Sequence, residues 1–465
     1  MFLKQDSLKT STEAFPSRTV AKPVFFGLFA FLSFLAVSVS FGLPILTPLV
    51  LFLGAFSFFL FFTKPQVFLF ALIFVRMSLD YTSQYFTVSI LERSFTLSEL
   101  FGIAIAVIGI ITVLQKGKDL PKFRLLPAFI LIGLWGAVSL FFSIMPSSTL
   151  RDLLRIFDLF TFAFLAFVTV RNRADFKRLL EALFITFIIP LGVGFYQYAA
   201  GIGFQDESSP IPRIFGTFAH PNVFSLALFT VFALAVLYRT EFAKTTKSRV
   251  LTVIFLGATG LAMLLTLSRV AWLATAVFFL IIAVFRNRKL LLPMILLPIF
   301  FLALSGTLRE RVMQSFDLNP DSSIAWRLTL WSDNIRKTFI DGREWYGYGL
   351  ETFPSASEEL RGIALGSNDA HNDFVKFFVE GGYTGLATFL TFIGLIFLPL
   401  SRRYKNATDT GIKTVFGIII VALIAIEFSA FSDNVFRNTP LWIIFFTATG
   451  GALGAFRAPQ EEDPS

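Results

Sequence analysis

Long apolar runs recur from residue 23 almost to the end of the chain, and they leave few folds open. They fall at 23–42, 43–62, 65–79, 97–115, 125–145, 153–170, 178–199, 222–238, 250–267, 270–286, 290–306, 383–400, 412–431 and 439–456. A helix needs about 20 apolar residues to cross the roughly 30 Å of hydrocarbon in a bilayer, and these runs reach or approach that length. Backbone groups in lipid must be satisfied within their own segment, so such runs are helices. The pattern predicts an all-α, polytopic transmembrane bundle of about 12–14 helices. The lower count allows for the short run at 65–79 and for the charges that open the run at 153–170. A chain that is 55% hydrophobic, with 62 Phe, has more apolar surface than a soluble core can hide. With no Cys, the chain has no disulfide, thiolate metal site or Cys nucleophile, and two His are too few for a His-rich metal site.

The formal charge of +9 is a topology signal rather than a nucleic-acid footprint. With the N-terminus placed inside, most of the 40 Lys and Arg fall on the inner side, in clusters such as RNRADFKR, RTEFAKTTKSR, RNRK and SRRYK. The expected plan has a polar cytoplasmic N-terminus (1–22), eleven helices with short loops (23–306), a large extracytoplasmic loop (307–382), C-terminal helices (383–456) and a cytoplasmic tail (457–465). Ala36-Val37-Ser38 allows the first run to be read as a signal peptide, but its length and the closely following second run favour an anchor.

Three polar segments fall on the expected outer side: 201–221, the tight corner TLSRVAW around Arg269, and 307–382. The last carries Trp326, Trp331, Trp345, Tyr346 and Tyr348 and is not low in complexity. Within it, RLTLWSDNIRKTFI reads as an amphipathic helix with Leu328, Trp331, Ile335 and Phe339 on one face, and GREWYGYGLETFP reads as turns. The Gly-x-Gly there lacks the strand and the Lys-Ser/Thr of a phosphate loop. Several residues have a functional and a structural reading. Arg213 and Arg269 are anion ligands or interfacial snorkellers. His220, before Pro221-Asn222, is a ligand or a helix cap. His371, beside Asn372, is a catalytic group or an interfacial cap. Arg327 is a substrate contact or a loop stabiliser. Arg151, Arg155 and Asp158 share a helical face, and an internal ion pair is their default reading.

Together, RIFGTFAHPN, LTLSRVAWLATA, WRLTLWSDNI, GYGLETF and AHNDFVKFFVEGGYTGL resemble the O-antigen ligase and O-antigen polymerase superfamily, in that family's order. The resemblance spans roughly residues 200–400. It implies a bundle of the kind seen in GT-C-type membrane glycosyltransferases, in a bacterial inner membrane. It implies transfer of a glycan from an undecaprenyl-pyrophosphate or other polyprenyl-pyrophosphate carrier to an acceptor hydroxyl on the outer face: a sugar, a lipid core or a protein. Arg213 and Arg269 match the family's arginine motifs, and His371 matches its His-Asn motif. His220, Arg327 and Asn372 are further substrate-binding candidates, and neither a metal nor a cofactor is expected.

The residue types suit that chemistry. Guanidinium forks bind pyrophosphate oxygens bidentately and stay charged, so they can do what a metal does for other sugar transferases. A histidine can take the proton from an attacking hydroxyl, with Asp369 or Asp373 as candidates to orient it. Glu380, nine residues after His371, is too far around a helix to pair with it. A transporter of a polysaccharide precursor or small anion is the alternative, but it calls for polar groups at mid-membrane, where Glu427 is the main candidate. Ligase and polymerase share donor chemistry, and the sequence does not separate them.

Overall fold

A computed structural model describes residues 59–81, 87–90, 93–205, 211–314, 316, 319, 323–361 and 368–457. The chain divides into two compact units, Met1–Phe68 and Leu69–Ser465. Of the first, only residues 59–68 are described, so the run at 23–42 and nearly all of 43–62 lie outside the described residues. Phe61 and Phe68 pack edge to face within that unit.

The described chain is all-α apart from one two-stranded antiparallel hairpin, β1 (Thr87–Ile90) and β2 (Arg93–Thr96). The first apolar helices are α1 (Pro65–Leu79), α2 (Leu97–Lys116), α3 (Leu126–Ser139) and α4 (Pro146–Thr169). They are followed by α5 (Arg173–Thr186), α6 (Ile188–Ala199), α7 (Pro221–Glu241), α8 (Thr246–Leu265), α9 (Arg269–Phe285) and α10 (Leu291–Leu304). Three shorter or more polar helices come next: α11 (Gly306–Met313), α12 (Ser323–Ile340) and α13 (Phe353–Arg361). The chain closes with α14 (Asp373–Asn406), α15 (Thr410–Ser429) and α16 (Thr439–Ala455). Among the described residues, six helical stretches are long and apolar enough to cross a membrane, and four shorter apolar helices accompany them. This is a polytopic helical membrane protein.

Local chemistry explains where these helices start and break. The box Thr96-Leu97-Ser98-Glu99 opens α2: the Thr96 hydroxyl accepts from the Glu99 N–H at 3.1 Å, and the Glu99 carboxylate accepts from the Thr96 N–H at 2.9 Å. The run at 178–199 is two helices rather than one. Pro190 has no N–H for the Thr186 carbonyl and its ring crowds that turn, so the helix breaks at Phe187. The central crossing is α16 on α4. A Cβ on Gly450 would lie 2.1 Å from the Ala163 carbonyl oxygen and one on Gly454 2.4 Å from that of Phe167. Small residues there let the two backbones meet, as membrane helices require when apolar attraction alone does not draw them together.

Helix α14 begins ten residues ahead of its apolar run and bends at Gly382, whose φ of 59° suits glycine alone. The segment Gly347-Tyr348-Gly349 is laid directly onto that bend. Tyr348 and Gly349 donate to the Val379 and Glu380 carbonyls at 3.2 and 2.8 Å. A Cβ on Gly347 would come within 2.3 Å of the Glu380 backbone. The expected amphipathic helix at 327–340 is present as α12, but its packed face is rotated from the expected one. Leu330, Asn334 and Thr338 are buried, while Leu328 and Phe339 are about half exposed, at 52% and 48%. The inner face is set by the shape of the Tyr348, Phe353 and Val379 cluster rather than by hydrophobicity alone.

Candidate functional site

Four connections meet at one end of the bundle. The first is the loop leading into α7. Phe204 and Arg213 exchange backbone hydrogen bonds at 2.9 and 3.0 Å, and the Gln197 side chain binds the N–H groups of Phe215 and Gly216. Arg213 is thereby fixed and is only 4% exposed. Its Nε donates to the Thr266 carbonyl at 2.8 Å and its NH2 to the Asn222 side-chain oxygen at 2.9 Å. The second connection is the turn between α8 and α9, where Leu267 has a left-handed φ of 50°. The Ser268 hydroxyl donates to the same Asn222 oxygen at 3.0 Å, and Arg269, next in the chain, is the first residue of α9. Buried Arg311 of α11 donates to the Leu267 carbonyl at 3.3 Å, so two guanidiniums hold consecutive carbonyls of this turn.

The third connection carries His371, with a left-handed φ of 48°. The fourth joins α15 to α16 and supplies Asp433. His371 Nδ1 lies 3.0 Å from Asp433 Oδ1, and Asn222 donates to Asp433 Oδ2 at 2.8 Å. An unbroken chain therefore runs Arg213–Asn222–Asp433–His371. The strained residue His371 ends this chain and strained Leu267 lies beside it, between Thr266 and Ser268, as expected where surrounding structure holds a backbone out of its preferred range. Burial raises the Asp433 carboxyl pKa, but the hydrogen bond and charge of His371 and the charge of Arg327 outweigh it and hold the carboxyl near 2. An ionised carboxylate can only accept, so His371 Nδ1 carries the hydrogen of this bond, and Nε2 is the ring nitrogen that presents a lone pair whenever the ring is neutral. The Trp326 ring stands edge-on to the imidazole with centroids 6.3 Å apart. Arg327 donates to the Ser432 carbonyl at 3.2 Å, and its Nε is buried with no hydrogen-bond partner. Burial pushes the Arg327 pKa down, with Asp433 opposing.

Next to this chain lies an ion network. Lys376 bridges Glu351 and Glu380, each at 2.7 Å, and Arg437 pairs with Glu351 and Asp369, each at 2.8 Å. Burial raises the Glu351 carboxyl pKa, but Lys376 and Arg437 overcome that and hold it near 2. Glu351 is the third described non-glycine residue with positive φ, at 61°.

Several sequence expectations meet this geometry. Arg213 and His371 are joined through two side chains, and Arg327 adjoins them. His220 caps α7, its Nδ1 accepting from the Asn222 N–H at 3.1 Å. Asn372 caps α14, its side-chain oxygen accepting from the Phe374 and Val375 N–H groups. The imidazole is not oriented by Asp369 or Asp373: the first is paired with Arg437, and the second accepts from the Phe436 N–H at 2.7 Å. The ion pairs on α4 also differ from expectation, because Asp158 is not the partner. Arg155 pairs with Asp152 and reaches the Phe436 carbonyl, and Arg151 pairs with Glu99. Glu427 lies two residues from the end of α15, not at its middle. Asn222, Arg311 and Asp433 were not singled out in the sequence. Asp433 carried one signal, a carboxylate in a short connection on the same expected side as the long loop.

Residues 251–390 match the O-antigen ligase family. The match runs from α8 through the bend of α14 and includes Arg269, Arg311, Arg327, His371 and Asn372. Arg213, His220 and Asp433 lie outside it. The comparison with curated proteins found no match. The protein is thus a multi-pass membrane protein in which residues 251–390 are similar to the O-antigen ligase family.

Proposed function

We propose that the protein transfers a glycan from a polyprenyl-pyrophosphate carrier to an acceptor hydroxyl at the outer membrane face, as a ligase or polymerase of surface polysaccharide. The observation that carries this reading is the hydrogen-bonded chain from Arg213 to His371. In this reading its two ends are a guanidinium for the pyrophosphate and a proton acceptor for the hydroxyl. In the reaction, the acceptor oxygen bonds to the anomeric carbon as the bond from that carbon to the pyrophosphate oxygen breaks. The acceptor proton passes to His371 Nε2, and polyprenyl pyrophosphate leaves. Arg213, Arg269 and Arg327 stabilise the charge that grows on the leaving group, a role best filled by fixed donors in a partly dry site. Asp433 keeps the imidazole in the accepting tautomer. His220 and Asn372 serve the site as caps of α7 and α14.

The reading is tested by transfer from a defined polyprenyl-pyrophosphate glycan in a purified assay. Rates for His371→Ala should fall by about 10²–10⁴-fold with donor binding retained, while His220→Ala loses less. EDTA should leave the wild-type rate unchanged, because guanidiniums fill the cation's role. Abolition by EDTA would remove the metal-independent part of the proposal.

A further inference from the structure

Around helix α12 and the turns that follow it lie large side chains that no other described residue covers. Phe141 is 85% exposed, Ile340 72%, Trp345 62%, Tyr383 45% and Phe142 42%. These residues form one patch. The rings of Trp345 and Tyr383 lie 5.3 Å apart, those of Phe339 and Tyr383 6.4 Å, and those of Phe142 and Tyr346 4.8 Å. In water such a patch would be a liability for a well-behaved surface.

Its position relative to the apolar helices says what covers it. Phe141 and Phe142 directly follow α3, an apolar helix. Tyr383 opens the apolar part of α14 just past the Gly382 bend, and its N–H donates to the Glu344 carbonyl at 2.7 Å. Two apolar helices thus end at the level of this patch, which is where hydrocarbon gives way to headgroups. Trp and Tyr concentrate at that level because their rings are apolar and their tips polar. Arg343 supplies a cation at the rim: its guanidinium lies 5.9 Å from the Tyr346 ring and 4.9 Å from the Tyr348 ring, whereas Lys337 is paired with Asp341 and Glu359, each at 3.0 Å.

We propose that this patch is seated in the interfacial layer of the bilayer, with phospholipid headgroups against Arg343, so that the 323–361 segment is a membrane-surface element. The inference does not depend on the reaction proposed above. Its consequence for the site is geometric. Arg327 is near one end of α12 and Ile340 is the other end, about 20 Å away along the axis. Lipid contact at the far end holds the near end beside His371, at headgroup depth.

The chain has no Cys, so single-cysteine nitroxide labels test this directly. Ile340→Cys, Trp345→Cys and Glu358→Cys chains would be labelled in nanodiscs of phosphatidylethanolamine and phosphatidylglycerol. Power saturation would compare collisions with oxygen, which partitions into lipid, and with a water-soluble nickel chelate. Labels at 340 and 345 should meet oxygen several-fold more readily than the chelate, and the label at 358 should show the reverse. A Trp345→Cys chain that misfolds leaves the highly exposed position 340 to decide. The proposal is overturned if label 340 behaves like label 358. It is equally overturned if label 340 is shielded from both reagents and shows spin–spin broadening, which would mean that a second copy covers the patch.

Discussion

At the residue scale, the proposed chemistry turns on the pairing of His371 with Asp433. Asp433→Asn replaces an obligate acceptor by a group that can also donate, so the Nδ1–H tautomer is no longer enforced. Turnover should fall by at least about 10²-fold, within the range that general-base assistance supplies, with little change in the half-saturating donor concentration. The same pair predicts a pH dependence of stability. The folded Asp433 carboxyl is held near 2, below the unfolded value of about 3.9. Its contribution is therefore fully present above about pH 4 to 5 and is lost as pH falls through 2. Thermal melting of wild type against Asp433→Asn should show a gap at neutral pH that closes only in strong acid. Arg213→Lys should also impair transfer, because one ammonium cannot hold the Thr266 carbonyl and the Asn222 oxygen while presenting a planar fork. A wild-type rate for that variant would remove Arg213 from the donor site.

At the element scale, the bend of α14 and the Gly347–Gly349 turn form one unit. Gly347→Ala would force a Cβ into the Glu380 backbone at a φ of 63°. A strained backbone position of this kind costs about 1–3 kcal/mol. The variant should melt earlier and expose the 323–361 segment to protease, and unchanged melting would show that the turn is not seated as described. Much at this scale was legible in the sequence. The expected helices over 97–115, 412–431 and 439–456 are present, whereas the expected single run at 178–199 breaks ahead of Pro190. The turns of 342–353 followed their glycines. The packed face of α12 was not legible, because Leu328 and Phe339 satisfy helical periodicity whether they meet protein or lipid. Nor was Asp433 as partner of His371, because two aspartates closer in sequence competed and only the backbone of His371 decides among them.

At the scale of the whole molecule, the apolar runs were enough to read an all-α membrane bundle, while the convergence of distant connections was not readable from spacing. Asn222 and Asp433 are 211 residues apart, yet they complete one relay. Sidedness can be checked with the same cysteine-free chain. An impermeant thiol reagent should label Glu358→Cys in intact cells and Lys247→Cys only after membrane disruption, following the Lys/Arg asymmetry. The reverse pattern would place the His371 cluster on the cytoplasmic side. The central claim is that His371, held by Asp433, accepts the acceptor's proton while arginines hold the carrier pyrophosphate. Its most direct test is single-turnover transfer from purified polyprenyl-pyrophosphate glycan by wild type and His371→Ala, with donor binding measured on the same samples. The account predicts a loss of about 10²–10⁴-fold in the transfer step with donor binding intact; normal transfer by His371→Ala would contradict it.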